Sequence, residues 1–280
     1  MEPRHLLDLV RQGAPLGLVA IGQTLVIVTG GMDLSVGATV ALVDVVAAQV
    51  IANHDERVLP ATLLVLAIGA AIGLFNGLLV TRLRVTPFIA TLGTSLIVLG
   101  AALVYSGGTP GGGIPESMLF WGNGFLGGIV PASVAVWLAI VMLAVAVLKR
   151  TVLGRLLVAV GANRNAAHLA GIHVDRVRVA AYVICGTMTA AGGWLLVAYV
   201  GSPTLEIGTD FLLGSFAATV IGGTALTGGR ATAWGTVGGT LFLMVLYSIV
   251  TVLNLPVSGR RVLEGSTILI AVALGSRRPR

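Results

Sequence analysis

The densest run of chemically capable residues is Thr29-Gly30-Gly31-Met32-Asp33-Leu34-Ser35-Val36-Gly37, set between two apolar stretches. A carboxylate, two hydroxyls and helix-weakening glycines are costly at such a junction in lipid. Irregular backbone at membrane depth is tolerated only where protein or a water-filled cavity covers it. The run therefore points to a path for something polar. Asp33 also suits a simpler task, capping the amides of the next helix with help from Ser35. Asp44 stands within Ala41-Leu42-Val43-Asp44-Val45-Val46. An ionisable group there faces the bundle interior or a cavity. It is either a substrate or gate contact, or a protonated or paired carboxyl inside the bundle.

Other chemistries find little support. A Walker A loop needs a lysine after Gly-x-x-x-x-Gly, and the single lysine, Lys149, follows an apolar helix. There is no Gly-x-Ser-x-Gly elbow and no His-Glu-x-x-His pair. His5, His54, His168 and His173 all fall in expected loops and suggest no metal site. Paired aspartates sharing a proton must face each other. Asp33 is expected at a helix boundary and Asp44 two turns into a span, so their depths differ. Cys185 is alone, which leaves no intrachain disulfide and no thiol cluster. The chain is not expected to be an enzyme, and no cofactor or metal is expected to bind it.

The elements that position these residues follow from composition. The chain has 280 residues, 56% hydrophobic and 10% charged, with a mean hydropathy of +1.00. Soluble domains carry about 25% charge, so the fold class is an all-α polytopic membrane bundle. Aromatics are only 5% and glycines number 39. Small residues let helix backbones approach closely in lipid. A membrane barrel needs alternating strands of about ten residues, and no apolar run alternates.

Nine spans are expected: Ala14–Thr29, Leu34–Ala52, Leu59–Val80, Pro87–Tyr105, Ile129–Leu148, Val179–Val200, Phe211–Thr227, Ala233–Leu253 and Val262–Gly275. The net charge of +6 reads as positive-inside bias and not as nucleic-acid binding. Lys149–Arg178, the Arg82/Arg84 turn and Arg277, Arg278 and Arg280 belong in the cytoplasm. Ser106–Gly128 and Gly201–Asp210 belong outside. Arg4, Arg11, Arg260 and Arg261 then fall on the outer side against the rule. One more span upstream would remove the conflict at the N-terminus, so either a missing N-terminal span or an unconventional first segment is expected. No cleavable signal peptide is visible.

The inner loop, residues 149–178, holds Asn163 or Asn165 as a helix N-cap and Gly171 as its stop. The helix between them has about one and a half to two turns and an apolar face of Ala166, Leu169 and Ala170. So short a piece is marginal alone, which suits docking into a groove of a partner; the alternative is a segment lying on the membrane surface. The chain also echoes itself. Thr227-Gly228-Gly229 precedes Gly235 by the spacing that separates Thr29-Gly30-Gly31 from Gly37. Paired Gly-interrupted segments in two halves point to a transport site.

Leu25 through Gly37 resembles the signature of ribose/xylose/galactose-type permeases of ATP-binding cassette importers. Gly154-Arg155, Ala159-Val160-Gly161-Ala162-Asn163, Ala166-Ala167 and Gly171-Ile172-His173-Val174 resemble that family's ATPase-coupling segment. Val220-Ile221-Gly222-Gly223-Thr224-Ala225-Leu226-Thr227-Gly228-Gly229 is similar to its third common block. The resemblance covers essentially the whole chain and implies a single permease domain of about ten spans in the bacterial cytoplasmic (inner) membrane. It implies a second permease copy or a paralogue, a cytoplasmic ATPase that binds the ATP and Mg, and an extracytoplasmic sugar-binding protein. It assigns ATPase coupling to Arg155, Gly161, Asn163, Ala166, Ala167 and Gly171. The candidate substrate pathway comprises Thr29, Gly30, Gly31, Asp33, Ser35, Gly37, Asp44, Asn76, Gly222 and Gly223. The implied function is import of a pentose or hexose. Branched-chain amino acids or nucleosides are the alternative cargo, and an ion-coupled secondary transporter is the alternative machine.

Overall fold

A computed structural model describes residues 3–253 together with 258, 259, 262, 263, 265–267 and 269. Eleven helices occur among the described residues: α1 (Pro3–Val28), α2 (Val36–Ile51), α3 (Val58–Thr81), α4 (Pro87–Ser106), α5 (Glu116–Asn123), α6 (Ala132–Arg150), α7 (Val152–Ala162), α8 (Arg164–Leu169), α9 (Val174–Val200), α10 (Gly208–Ile221) and α11 (Ala233–Val252). A single turn of 3-10 helix (Asp55–Arg57) leads into α3, and a two-residue hairpin pairs β1 (Phe125–Leu126) with β2 (Val130–Pro131).

Local signals place the helix ends. Pro87 opens α4, where no amide donor is required. Gly107 and Gly201 close α4 and α9 in the left-handed conformation. Six helices are long and apolar enough to cross a membrane, with mean hydropathies from 1.2 to 2.4: α1, α3, α4, α6, α9 and α11. Two of the nine expected spans are shorter than the sequence suggests. α2 has 16 residues and α10 has 14. At about 1.5 Å per residue neither reaches the ~30 Å of a hydrocarbon core. Their apolar runs continue into glycine-rich turns that are not helical. Val262–Gly275 and the basic residues Arg260, Arg261, Arg277, Arg278 and Arg280 lie largely outside the described residues.

α1 and α2 form the buried centre, with most of α9 and α10 packed on them. α3, α4, α6 and α11 surround that centre and turn apolar side chains outward, among them Leu63, Leu96, Ile97, Met142 and Leu143. Such a surface is stable against lipid, not water. α3 meets α9 through Gly69, Gly73 and Gly77, four residues apart. A Cβ at Gly73 would lie 2.2 Å from the Tyr182 carbonyl oxygen, and one at Gly69 2.3 Å from that of Gly186. This is the small-residue contact that replaces hydrophobic drive in lipid.

The helix ends sort into two faces. On one, Arg11 pairs with Asp8 at 3.0 Å, donates to the Asn123 carbonyl at 3.3 Å and lies over the rings of Phe125 and Tyr199. Arg11 thus shares the face of the 106–131 connection, on the expected outer side, and its charge is met there by Asp8 and two aromatic faces. On the other face lie α7, α8 and the 222–232 turn. His5 and His168 are helical, in α1 and α8, contrary to the loop expectation; His54 and His173 lie in connections.

Candidate functional site

α1 stops at Val28 and α2 begins at Val36, and the seven residues between them form a folded break. Asp33 organises it. Its Oδ1 accepts the Ser35 amide at 2.9 Å, the Ser35 hydroxyl at 2.6 Å and the Asn76 side-chain amide at 3.3 Å. Asn76, from α3, also donates to Ser35 Oγ at 2.8 Å. The Leu34 amide finds Thr91 Oγ1 of α4 at 3.0 Å, and Gln23 donates to the Asp33 carbonyl at 3.3 Å. The Leu34 and Ser35 amides, just ahead of α2, are thus met from α4 and from Asp33; no side chain caps the first amides of α2 itself, contrary to the capping role expected of Asp33. Asp33, Ser35 and Asn76 are all buried, and Asn76 Oδ1 has no hydrogen-bond partner. A buried acceptor left free is unusual.

The end of the break that faces α7 and α8 is a clasp. The last carbonyls of α1 have no partner within their own helix. Val28 O accepts the Gly229 amide at 2.8 Å. Thr29 O and Gly30 O accept the Arg164 guanidinium at 3.3 and 3.0 Å. Gly161 lies so close that a Cβ there would fall 1.7 Å from Val28 O. A Cβ at Gly228 would lie 2.8 Å from the Gly30 amide. The two Thr-Gly-Gly echoes therefore touch, and the loop carrying α8 closes over both.

The echoed glycines have a second effect. Gly37, at the start of α2, meets Gly208 at one end of α10; Gly235, at the start of α11, meets Gly222 at the other. A Cβ at Gly37 would lie 2.3 Å from Gly208 O, and one at Gly235 2.0 Å from Gly222 O. The half-length helix is gripped backbone to backbone at both ends.

The Branched-chain amino acid transport system / permease component family matches residues 5–272. The chain belongs to this permease family. The ribose import permease protein RbsC of Bacillus subtilis is 40% identical over 280 residues, covering 99% of this chain and 86% of that protein. The galactose/methyl galactoside import permease protein MglC of Haemophilus influenzae is 34% identical, covering 96% and 85%. The autoinducer 2 import system permease protein LsrC of an Enterobacter species is 35% identical, covering 93% and 75%. No solved structure matches. The permease is a multi-pass protein of the bacterial cytoplasmic membrane.

Within this permease the nominated residues divide into several groups. Thr29 is buried, its hydroxyl on Val26 O at 2.8 Å, and Gly30 takes φ +71 in the clasp. Gly31 backs onto Tyr182, whose hydroxyl donates to Met32 O at 3.1 Å. Gly37 and Gly222 hold α10. Gly223 is exposed with open space around it. Asp44 stands apart from Asp33 and accepts the Thr204 amide at 2.6 Å, so it is a paired, buried carboxylate that pins the 201–207 connection.

Among the residues nominated for coupling, Asn163 is the N-cap of α8, accepting the Ala166 amide at 3.0 Å, and Gly171 ends the segment at φ +80. Ala167 is buried. Ala166, Leu169 and Ala170 are exposed, Leu169 at 87%, so the expected apolar face is turned outward and uncovered. Arg155 is exposed on α7, a helix that the sequence reading treats as part of a loop.

Several buried polar groups escape the sequence reading. The hydroxyls of Thr24 and Thr236 lie 2.7 Å apart, and Thr219 donates to Ala20 O at 3.1 Å, so α1, α10 and α11 share one hydroxyl knot. Gln23, Thr91, Tyr182 and Arg164 also belong to the site. Gln23-Thr24 is a polar pair inside an otherwise apolar stretch of α1, and that was the available signal.

Proposed function

We propose that this permease carries a monosaccharide of the pentose or hexose class, delivered by an extracytoplasmic binding protein and driven by a separate cytoplasmic ATPase. The relatives named for ribose and galactose/methyl galactoside support the cargo. The free Asn76 acceptor beside Asp33 and Ser35 supports it too, since a neutral sugar offers hydroxyl donors and no charge to neutralise. The observation that carries the machine is α8. It is a capped short helix with an uncovered apolar face, joined to the break by its first residue. ATP and Mg bind the partner ATPase, and this chain performs no covalent step.

Transport follows as a population shift. The ATPase dimer favours one arrangement of the two permease copies, and sugar and binding protein favour another. Here Asp33, Ser35 and Asn76 are closed off, so sugar reaches them only when the helices around the break part. The outward apolar faces of α3, α4 and α6 meet lipid or the second permease. Purified permease reconstituted in proteoliposomes with its ATPase and binding protein tests the reading. Sugar uptake should require ATP inside and the binding protein outside. Equal uptake without ATP contradicts it.

A further inference from the structure

α8 touches the rest of the molecule sparingly. Ala167 is its one buried side chain, and Arg164 is its one side chain with a hydrogen bond to another element. Those bonds end on Thr29 O and Gly30 O, four and three residues before Asp33, whose network lies just ahead of α2. The backbone around them is interlocked: Gly161 lies on Val28 O, and the Gly229 amide donates to the same oxygen. From there the order of contact runs Arg164, Thr29–Gly30, Asp33, Ser35 and Asn76.

We infer that Arg164 is the positioning residue that passes displacement of α8 to the polar break. An exposed arginine whose Nη2 donates to two carbonyls just past a helix C-terminus makes a charge-assisted contact there. When α8 shifts, the carbonyls follow, and with them the segment that fixes Asp33 and the first turn of α2. The short Gly31–Met32 backbone joins the carbonyls held by Arg164 to the Asp33 network and supplies the physical link that such a transmission needs. This rests on the proposed ATPase coupling and names the residue that carries it. A bare capping role makes a different prediction: loss of the cap lowers stability and slows hydrolysis and uptake together.

The test is sugar uptake per ATP hydrolysed, in proteoliposomes holding permease, ATPase and binding protein. Arg164→Ala should still co-purify with the ATPase and hydrolyse ATP, while uptake per ATP falls by about tenfold, the loss expected for a charge-assisted contact. Arg164→Lys keeps the charge on a compact, more strongly hydrated head, and its ratio should fall by a smaller factor. A ratio unchanged from wild type in Arg164→Ala overturns the inference. Should that variant fail to assemble, an unchanged ratio in Arg164→Lys overturns it equally. Wild-type permease that shows no ATP-driven uptake sinks the functional reading instead, so the two failures are distinct.

Discussion

Asp44 and Thr204 lie 160 residues apart in sequence, and the Asp44 carboxylate accepts the Thr204 amide at 2.6 Å. A carboxylate that would be costly inside α2 is thereby given a donor, and an outer connection is held against the bundle. Asp44→Asn keeps an acceptor for that amide and should retain most of the uptake. Asp44→Ala leaves the half-buried Thr204 amide without its partner, a cost of about 0.5–1.5 kcal/mol, and should speed proteolysis of the 201–207 connection. Equal loss of uptake in both variants would instead make the charge itself a contact for cargo.

Asp33 makes a different prediction. Its Oδ1 serves Ser35 twice and Asn76 once. Asp33→Ala strips all three donors of their acceptor and should lower the unfolding midpoint in nanodiscs, at a cost of about 1–3 kcal/mol or more. Asp33→Asn should cost less, because one oxygen remains. A midpoint unmoved by Asp33→Ala would show that the network does not hold the break.

Glycine substitutions separate close approach from open space. Gly161→Ala drives a methyl into Val28 O and should destabilise by about 1–3 kcal/mol or beyond. Gly73→Ala forces α3 away from Tyr182 of α9 with a similar penalty. Gly93→Ala and Gly100→Ala on α4 meet nothing within 4 Å and should be neutral, or stabilising by up to ~1 kcal/mol through helix propensity. Thermal unfolding of the four variants in one lipid checks the order.

Much of the site is legible in the residue order because its parts are local. Asp33 before Leu34-Ser35 announces a helix start, and Asn163 with Gly171 brackets α8. What stays hidden is non-local. Thr24, Thr219 and Thr236 look like neutral passengers in apolar helices until three chain segments bring their hydroxyls together. Arg164 reads as one more inward positive charge until Thr29 and Gly30 present carbonyls to it. α2 and α10 look like full spans because hydropathy counts the glycine-rich turns with the helices. α7 is missed because Arg155 and the flanking charges disguise an apolar face of Leu157 and Val160, which is buried.

The uncovered face of α8 can be broken without disturbing the fold. Leu169 is 87% exposed, so Leu169→Glu should leave the unfolding midpoint unchanged, since exposed substitutions of this kind stay within about 0.5 kcal/mol. It should nonetheless abolish co-purification of the ATPase. Normal association in that variant would remove Leu169 from the docking surface.

The most direct measurement places a photo-activated crosslinker at Leu169 in native membranes and identifies what it captures. The account predicts a nucleotide-binding ATPase subunit, with a yield that changes on adding ATP. Capture of lipid alone, with or without nucleotide, would contradict it.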